Sequence, residues 1–249
     1  MTMKEIDDSK IIREKLAAAG KSPFKTYKEL TVGEVSLLQF IIYEFLTFFL
    51  GPMPGGAGFF LRKTFYPRLF KKVGKGLILG RNVVIRHPGN IIIGNNVTID
   101  DNCLIDAKGA GLDGFVIEDN VIINRNCMIQ AKNGSIRIGR RTSLGSNSVV
   151  VSFDGVDIGE AVLTAGGIYI SAGLYHFGEI SKPVMDQGAY TKGPIRIGRG
   201  AWFGTQVSIL DGVTIGDGAI IGAGAVVNKD IPANVIAFGV PAKVIRSRV

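Results

Sequence analysis

An apolar residue returns at every sixth position through the last two-thirds of the chain. The C-terminal stretch shows this most regularly, in the anchor residues Ile197, Phe203, Ile209, Ile215, Ile221 and Val227. A period of six matches neither an α-helix nor an alternating strand. It is typical of a parallel β-helix, in which each short strand buries one apolar side chain against the neighbouring coils. The sequence therefore predicts an all-β fold built by stacking coils.

Earlier anchors fall into groups of three. They are Leu79 and Ile85, then Ile93, Ile99 and Ile105, then Ile117, Ile123 and Ile129, then Ile138, Leu144 and Val150, then Ile158, Thr164 and Ile170. Three short strands per coil make a triangular prism of about seven coils. Such a prism needs a cap at its end, because each coil buries its apolar face only against the next. The longest interruption follows Ile170, and loops of this kind commonly carry function.

The two cysteines, Cys103 and Cys127, each precede an anchor isoleucine by two positions in adjacent coils. We expect them to stack as small inward residues, although a disulfide is geometrically possible. An apolar interior suppresses the thiolate, which argues against a cysteine nucleophile. The 34 glycines and the 46% hydrophobic content fit tight corners and buried anchors rather than disorder.

The chain divides into an N-terminal helical region, residues 1–75, and the β-helix domain, residues 76–249. Residues 1–28 are polar and predict a surface helix or a partly ordered arm. Residues 35–50 predict an apolar helix with one narrow polar stripe, too short to span a membrane. Residues 59–72 alternate phenylalanines with basic residues.

Two interpretations of this N-terminal region stay open. Mixed aromatic and basic residues are typical of a segment lying on an anionic membrane, which predicts a cytoplasmic protein peripheral to the inner membrane face. Alternatively, the region packs on the first coil or between subunits as a cap. The net charge of +8 fits a membrane or an acidic ligand. Nucleic acid is disfavoured, since no DNA- or RNA-binding module is recognisable.

The chain has only two histidines, so no site with three histidine ligands can be assembled in it and no metal is predicted. His87 lies at an early corner and is interpreted as a turn residue or a surface contact. His176 lies in the longest loop, in the segment SAGLYHFGE. It is the candidate functional base.

The motifs from His176 onward resemble those of a known family. They are residues 194–198 (PIRIG), 202–205 (WFGT), 222–232 (GAGAVVNKDIP) and 239–246 (GVPAKVIR). The chain closely resembles the hexapeptide-repeat acyltransferases over residues 76–249, in particular the maltose, galactoside and capsule or exopolysaccharide O-acetyltransferases. The resemblance implies a left-handed parallel β-helix, a homotrimer with active sites at subunit boundaries, and acetyl-CoA as donor.

The resemblance also implies roles for individual residues. His176 matches the general base, which takes a proton from the acceptor hydroxyl in a direct transfer. Residues matching the channel for the pantetheine arm are Trp202, Gly204, Thr205 and Ala223. Residues matching the nucleotide end, where phosphates need cations and hydrogen-bond donors, are Asn228, Lys229 and Arg246. Without the resemblance, Trp202 could be a packing residue and the two cations ordinary surface charges.

The resemblance identifies the residues of the acceptor pocket less clearly than those of the donor site. The polar candidates are Asn147, Asp154, Glu179, Asp186 and Tyr190, and Glu179 could orient His176. The apolar and basic N-terminal region departs from the maltose-type pattern, which favours a lipid-linked saccharide or an envelope glycan precursor over a free sugar. An N-acyltransferase of an amino sugar or amino acid and a non-catalytic structural β-helix are the alternatives.

Overall fold

The computed structural model describes residues 4–6, 22–111 and 114–249, and in them the predicted parallel β-helix is confirmed. The strands in chain order are β1 (Lys4–Ile6), β2 (Lys72–Val73), β3 (Ile78–Leu79), β4 (Val84–Arg86), β5 (Ile91–Ile93), β6 (Thr98–Ile99), β7 (Leu104–Asp106), β8 (Phe115–Ile117), β9 (Ile122–Ile123), β10 (Met128–Ala131), β11 (Ile136–Ile138), β12 (Ser143–Leu144), β13 (Val149–Ser152), β14 (Val156–Ile158), β15 (Leu163–Thr164), β16 (Tyr169–Ser171), β17 (Leu174–Tyr175), β18 (Ala189–Thr191), β19 (Ile195–Ile197), β20 (Trp202–Phe203), β21 (Ser208–Ile209), β22 (Thr214–Ile215), β23 (Ile220–Ile221), β24 (Val226–Val227), β25 (Val235–Phe238) and β26 (Lys243–Ser247).

Three parallel sheets form the walls of the prism, and the chain visits them in turn. Sheet 1 has the order β2-β5-β8-β11-β14-β19-β22, and sheet 3 has the order β4-β7-β10-β13-β16-β21-β24. Sheet 2 runs β3-β6-β9-β12-β15-β20-β23 and is extended by β25 and the antiparallel β26. Seven strands in sheet 1 and in sheet 3 correspond to seven coils. We name the corners by the sheets they join, so the 3–1 corner leads from one coil to the next.

The anchor residues lie directly above one another. In sheet 3 the register aligns Ile85 with Ile105, then with Ile129, Val150 and Ile170, and all are buried. Burying each such side chain stabilises the fold by about 1.5–3 kcal/mol. Cys103 and Cys127 are buried and free, as predicted. The neighbouring Cys127 and burial together raise the pKa of the Cys103 thiol, which makes it a poor nucleophile.

The 2–3 corners carry a ladder of asparagines in the left-handed backbone conformation. Asn82, Asn102, Asn126 and Asn147 all have φ between 53° and 60°. The side-chain amide of Asn82 donates to Asn102 at 3.2 Å, and that of Asn126 donates to Asn147 at 3.1 Å. Asparagine tolerates this conformation better than most side chains. Asn147 is therefore a corner residue of the scaffold.

Within the described part of the chain, three helices precede the prism. They are α1 (Pro23–Thr31), α2 (Leu37–Leu50) and α3 (Gly55–Phe65), and short 3₁₀ turns occupy Tyr66–Leu69, Pro88–Asn90 and Val184–Asp186. A capping box between Ser36 and Gln39 starts α2 two residues later than the predicted segment. Within the stretch predicted as a surface helix or arm, Lys4–Ile6 is a strand and α1 begins at Pro23, while residues 1–3 and 7–21 lie outside the described residues.

The helices cover the open end of the first coil. Leu46, Leu50 and Tyr66 belong to the same buried cluster as Leu79 and Ile85. The N-terminal helices therefore pack on the first coil, and membrane attachment by their outer faces stays a prediction. No helix in the described residues is long and apolar enough to cross a membrane.

The Arg62 side chain connects the N-terminal helices, which we call the N-terminal cap, to the prism through hydrogen bonds. Its guanidinium is buried and donates to the carbonyl oxygens of Leu79 at 3.1 Å, Leu50 at 3.0 Å and Met53 at 2.7 Å. The sequence pattern grouped Arg62 with the surface cations of residues 59–72. That assignment is wrong for Arg62, because three backbone carbonyls hold it inside.

Candidate active site

The long loop, residues 172–194, leaves the prism at a 3–1 corner and folds into a small antiparallel sheet. Strands β17 and β18 form its hairpin, and β1 from the N-terminus adds to the other edge of β18, giving the order β1-β18-β17. Glu5 lies opposite Tyr190 in this register, and Lys4 lies opposite Thr191. The hairpin therefore receives a strand from a distant part of the chain.

Asp211 fixes the base of the hairpin from the 3–1 corner of the next coil. Its buried carboxylate accepts hydrogen bonds from the Gly173 N–H at 2.8 Å and from the Thr191 hydroxyl at 2.8 Å. Its second oxygen accepts from the Lys192 N–H at 2.6 Å. Hydrogen bonds to a charged acceptor are stronger than neutral ones. One carboxylate thus holds both ends of the hairpin, and sequence reasoning missed it because Asp211 looks like any polar corner residue.

His176 follows β17 and is held on three sides. Its backbone N–H donates to the Gly188 carbonyl at 3.0 Å, and its ring packs on Tyr190 with centroids 4.6 Å apart and planes tilted by 30°. Its Nε2 lies 3.1 Å from both carboxylate oxygens of Glu5. The side chain is 36% exposed, so a substrate can reach it. A fixed, accessible imidazole beside a carboxylate is suited to general base chemistry.

The contact with Glu5 determines the imidazole tautomer. A carboxylate only accepts hydrogen bonds, so the Nε2 atom beside it must carry the proton in the neutral ring. Nδ1 then keeps the free lone pair. Strand β1 is further tied down by an ion pair between Lys4 and Asp154, the corner residue after β13. Sequence reasoning missed Glu5, because nothing in the polar N-terminal segment indicates a partner 171 positions away.

Two clefts lie near the 3–1 corner from which the long loop leaves the prism. One, of about 250 Å³, lies between the hairpin and the outer face of sheet 3, and its polar lining includes Lys132, Tyr169, Ser171 and Tyr175. The other, of about 340 Å³, lies on the sheet 1 side, and its charged lining residues are Arg137, Asp154, Asp157 and Arg196. The first cleft offers aromatic and hydrogen-bonding groups beside strand β17, which precedes His176, and the second offers charged groups.

Two family models match the chain. The model of the bacterial transferase hexapeptide (six repeats) matches residues 194–229, and the hexapeptide repeat of succinyl-transferase matches residues 135–172. The chain is 42% identical over 115 residues to a probable acetyltransferase of Mycobacterium tuberculosis, a match covering 46% of this chain and 38% of that protein. It is 41% identical over 112 residues to the galactoside O-acetyltransferase of Escherichia coli, covering 45% of this chain and 54% of that protein.

The chain thus carries hexapeptide repeats of transferase type over residues 135–172 and 194–229, and over about half of its length it is similar to proteins named as acetyltransferases. The matched part is about half the length of the galactoside enzyme and less of the mycobacterial protein. Among solved structures, a maltose O-acetyltransferase from Clostridium difficile 630 is 24% identical with a TM-score of 0.45, covering 85% of this chain and 89% of that one.

The residues predicted to line a pantetheine channel lie away from His176 within one chain. Trp202 points outward from sheet 2 and is 45% exposed, so it is not a packing residue of the prism interior. The Thr205 hydroxyl donates to the Gly166 carbonyl at 2.9 Å. A Cβ on Gly204 would lie 2.6 Å from the Ala223 backbone nitrogen, so glycine is required there. These four residues line sheet 2 and its 2–3 corner, whereas the hairpin stands at the 3–1 corner.

The residues predicted to bind the nucleotide end of the donor are exposed. Asn228 and Lys229 lie at the 3–1 corner two coils after the one that carries the hairpin. Arg246 lies on β26 at the edge of sheet 2, where it is paired in register with Ile236. A single chain therefore does not gather the donor-binding candidates around His176.

The five acceptor candidates separate into two groups. Tyr190 contacts the His176 ring, and Asp154 anchors the strand that carries Glu5. Asn147 belongs to the corner ladder and does not reach the hairpin. Glu179 accepts hydrogen bonds from Ser181 and Lys182, so Glu5 and not Glu179 is the carboxylate beside His176. Asp186 lies on an exposed 3₁₀ turn of the loop.

His87 is buried between α1 and the first coil. Its Nε2 lies 3.0 Å from the Glu29 carbonyl oxygen, and its backbone N–H donates to the Thr31 carbonyl at 2.9 Å. It is thus a buried packing residue of the cap and not the surface contact that the sequence allowed. No group of three or more histidine, cysteine or acidic residues within the described ranges could hold a metal ion.

Proposed function

We propose that the protein is an acetyl-CoA-dependent O-acetyltransferase that acts on a saccharide, with His176 as the general base. The observation that carries this proposal is the fixed imidazole on the hairpin. Glu5 and Tyr190 contact its ring, and Asp211 holds the two ends of the hairpin together where they join the prism. A scaffold protein would have no need for a rigid, half-exposed histidine beside a carboxylate. The matches to the hexapeptide models and to proteins named as acetyltransferases support this class of reaction.

The proposed chemistry is a direct transfer. The unprotonated nitrogen of His176 takes the proton of the acceptor hydroxyl while the hydroxyl oxygen attacks the thioester carbonyl of acetyl-CoA. The C–S bond then breaks, and the CoA thiolate leaves with the proton that the imidazolium returns. Glu5 compensates the positive charge that the ring carries between these two proton transfers. No covalent enzyme intermediate is required.

We propose that the active site is completed by a second copy of the chain in a homotrimer. This rests on the separation of Trp202, Thr205 and Ala223 from the hairpin on the prism surface. A neighbouring prism could place its sheet 2 face against the hairpin, so that one chain supplies His176 and another supplies the pantetheine channel. Lys229 and Arg246 would then meet the phosphates as charged donors.

The acceptor is proposed to be a saccharide attached to a lipid or an envelope glycan precursor. The cleft beside the hairpin offers tyrosines, which pack on sugar rings, and the cleft on the sheet 1 side offers charged groups that hydrogen-bond hydroxyls. The N-terminal cap with its exposed apolar face supports a lipid-linked form over a free sugar. The similar Escherichia coli protein is a galactoside O-acetyltransferase, which is consistent with a saccharide acceptor here.

Calorimetry with acetyl-CoA, combined with release of the CoA thiol in the presence of a panel of acceptors, tests the proposal. We expect saturable binding with one site per chain, and thiol release that depends on one class of saccharide hydroxyl. Release that requires an amino sugar would replace O-transfer with N-transfer. No binding at near-millimolar acetyl-CoA would overturn the donor assignment and favour a structural β-helix.

A further inference from the structure

Helix α2 has the reverse of the usual burial pattern of a surface helix, because its polar groups contact the protein while apolar side chains are exposed. Tyr43 is buried, and its hydroxyl donates to the Ile85 carbonyl at 2.7 Å. The Thr47 hydroxyl donates to the Tyr43 carbonyl at 2.9 Å, and Glu44 accepts a hydrogen bond from the Tyr27 hydroxyl at 3.0 Å. The polar groups of the helix are thus engaged by the protein. The narrow polar stripe predicted for this helix is occupied by internal contacts.

The opposite side of α2 is apolar and uncovered. Leu38 is 67% exposed and Phe48 is 73% exposed. The exposed apolar residues of this helix are Leu37, Leu38, Ile41, Ile42, Phe45, Phe48 and Phe49. Together with Phe24 of α1, several of them line an open groove of about 500 Å³. A helix that faces water normally has the reverse arrangement, and an apolar patch this extended marks an interaction surface.

Cations lie beside the exposed aromatic rings of the following segment. The ammonium of Lys63 lies 5.8 Å from the centroid of the Phe59 ring, and the guanidinium of Arg68 lies 5.3 Å from that of Phe65. The exposed cations of this segment are Lys63, Arg68, Lys71 and Lys72. Among the side chains that the structure describes, no carboxylate forms an ion pair with any of them.

The exposed faces point away from the prism. Leu46 and Leu50 of α2 and Tyr66 after α3 pack onto the open end of the first coil. The opposite faces of the two helices are therefore directed outward at that end. We infer that this outward surface, which we call the cap face, is a docking surface for an anionic lipid bilayer.

Two properties favour a lipid surface over a second copy of the chain. The apolar centre has cations on its border, and phospholipid headgroups supply the complementary negative charge whereas an identical cap face supplies more positive charge. The helix is also suited to lie in the interface. With 14 residues it is about 21 Å long, short of the roughly 30 Å of hydrocarbon that a spanning helix must cross.

Docking by the cap face would set the height of the active site above the lipid, a consequence that rests on the proposed function. The hairpin leaves the prism after β16, which lies four rungs from β4 of the first coil. At about 4.8 Å per rung, His176 would stand roughly 20 Å above the capped end of the prism. Such a site would reach a sugar of an extended lipid-linked saccharide rather than the lipid headgroup.

Vesicle flotation of the full-length protein tests the inference. The probes are vesicles of phosphatidylcholine alone and vesicles containing about 30 mol% phosphatidylglycerol, at low and high salt. We expect flotation with the anionic vesicles that weakens as salt rises. The double variant Phe45→Ser/Phe48→Ser should weaken binding by roughly tenfold or more, because two exposed aromatic anchors are lost. Lys71→Glu/Lys72→Glu should abolish the preference for anionic vesicles.

A matched control is the double variant Val240→Ser/Ile245→Ser, which removes exposed apolar residues near the opposite end of the prism. It should float like the unmodified protein. The inference is overturned if the unmodified protein does not float with anionic vesicles, or if the Phe45/Phe48 variant floats unchanged. It is also overturned if that variant changes only the oligomer mass, because the cap face is then a subunit contact. Acetyl-CoA binding measured on each variant keeps this outcome separate from failure of the proposed function.

Discussion

The carboxylate of Glu5 lies 3.1 Å from Nε2 of His176, although the two residues are 171 positions apart in the chain. The pairing of β1 with β18 makes this contact, since Glu5 lies opposite Tyr190, and Tyr190 packs on the imidazole. Glu5 is thereby a positioning residue for the proposed base.

We expect Glu5→Gln to lower kcat by about tenfold with little change in the affinity for acetyl-CoA, because a neutral amide cannot compensate the imidazolium. Glu179→Gln is the matched control, since Glu179 is a loop carboxylate that contacts Ser181 and Lys182 instead. Steady-state rates of thiol release distinguish the two. Equal rates for Glu5→Gln and the unmodified enzyme would remove Glu5 from the mechanism.

Asp211 should matter for both stability and turnover. Asp211→Asn replaces one acceptor oxygen with an amide that faces the donors from Gly173, Thr191 and Lys192. We expect a loss of about 1–3 kcal/mol in the free energy of unfolding and a lower kcat through a displaced hairpin. Asp217→Asn is the control, because Asp217 accepts the Arg199 N–H at a corner far from the hairpin. Similar kcat values for Asp211→Asn and Asp217→Asn would contradict the proposal that Asp211 holds the hairpin in position.

The sequence could predict the prism but not the contacts that build the site. A six-residue period places Ile85, Ile105 and Ile129 inside, because each anchor needs only its neighbour in the next coil. The longest interruption of the same period also placed His176 in a loop. It could not find Glu5 or Asp211, whose partners are set by how the loop and the N-terminal strand fold back.

Acidification should destabilise the fold through His87. Burial lowers the pKa of His87 below its usual value of about 6.5, and this outweighs the nearby Asp106. The unfolded chain therefore binds the proton more readily, so the contribution of His87 to stability is fully present above about pH 6.5 and is lost as the pH falls below it. Urea denaturation at about pH 7.5 and about pH 5.5 measures the effect.

His87→Asn provides the comparison for this pH effect. Asparagine tolerates the backbone φ of 51° at this position and does not titrate. The difference in unfolding free energy between the two pH values should be smaller in the variant than in the unmodified protein. An identical difference in both would show that other groups cause the pH dependence.

Arg62→Met should loosen the N-terminal cap. Methionine fills similar volume but leaves the carbonyl oxygens of Leu79, Leu50 and Met53 without their donor. We expect a loss of about 3 kcal/mol or more in unfolding free energy. Lys63→Met, next to it on the exposed side of α3, should change stability by less than about 0.5 kcal/mol. Comparable losses in both variants would contradict the anchoring role of Arg62.

The central claim is that His176 performs the proton transfer. The most direct measurement is the rate of CoA thiol release by His176→Ala at saturating acetyl-CoA and acceptor, with Phe177→Ala as the control from the same loop. We expect His176→Ala to bind acetyl-CoA normally by calorimetry, to keep its thermal stability and to lose turnover by at least about a hundredfold, while Phe177→Ala remains active. An unchanged rate for His176→Ala, with binding intact, would contradict it.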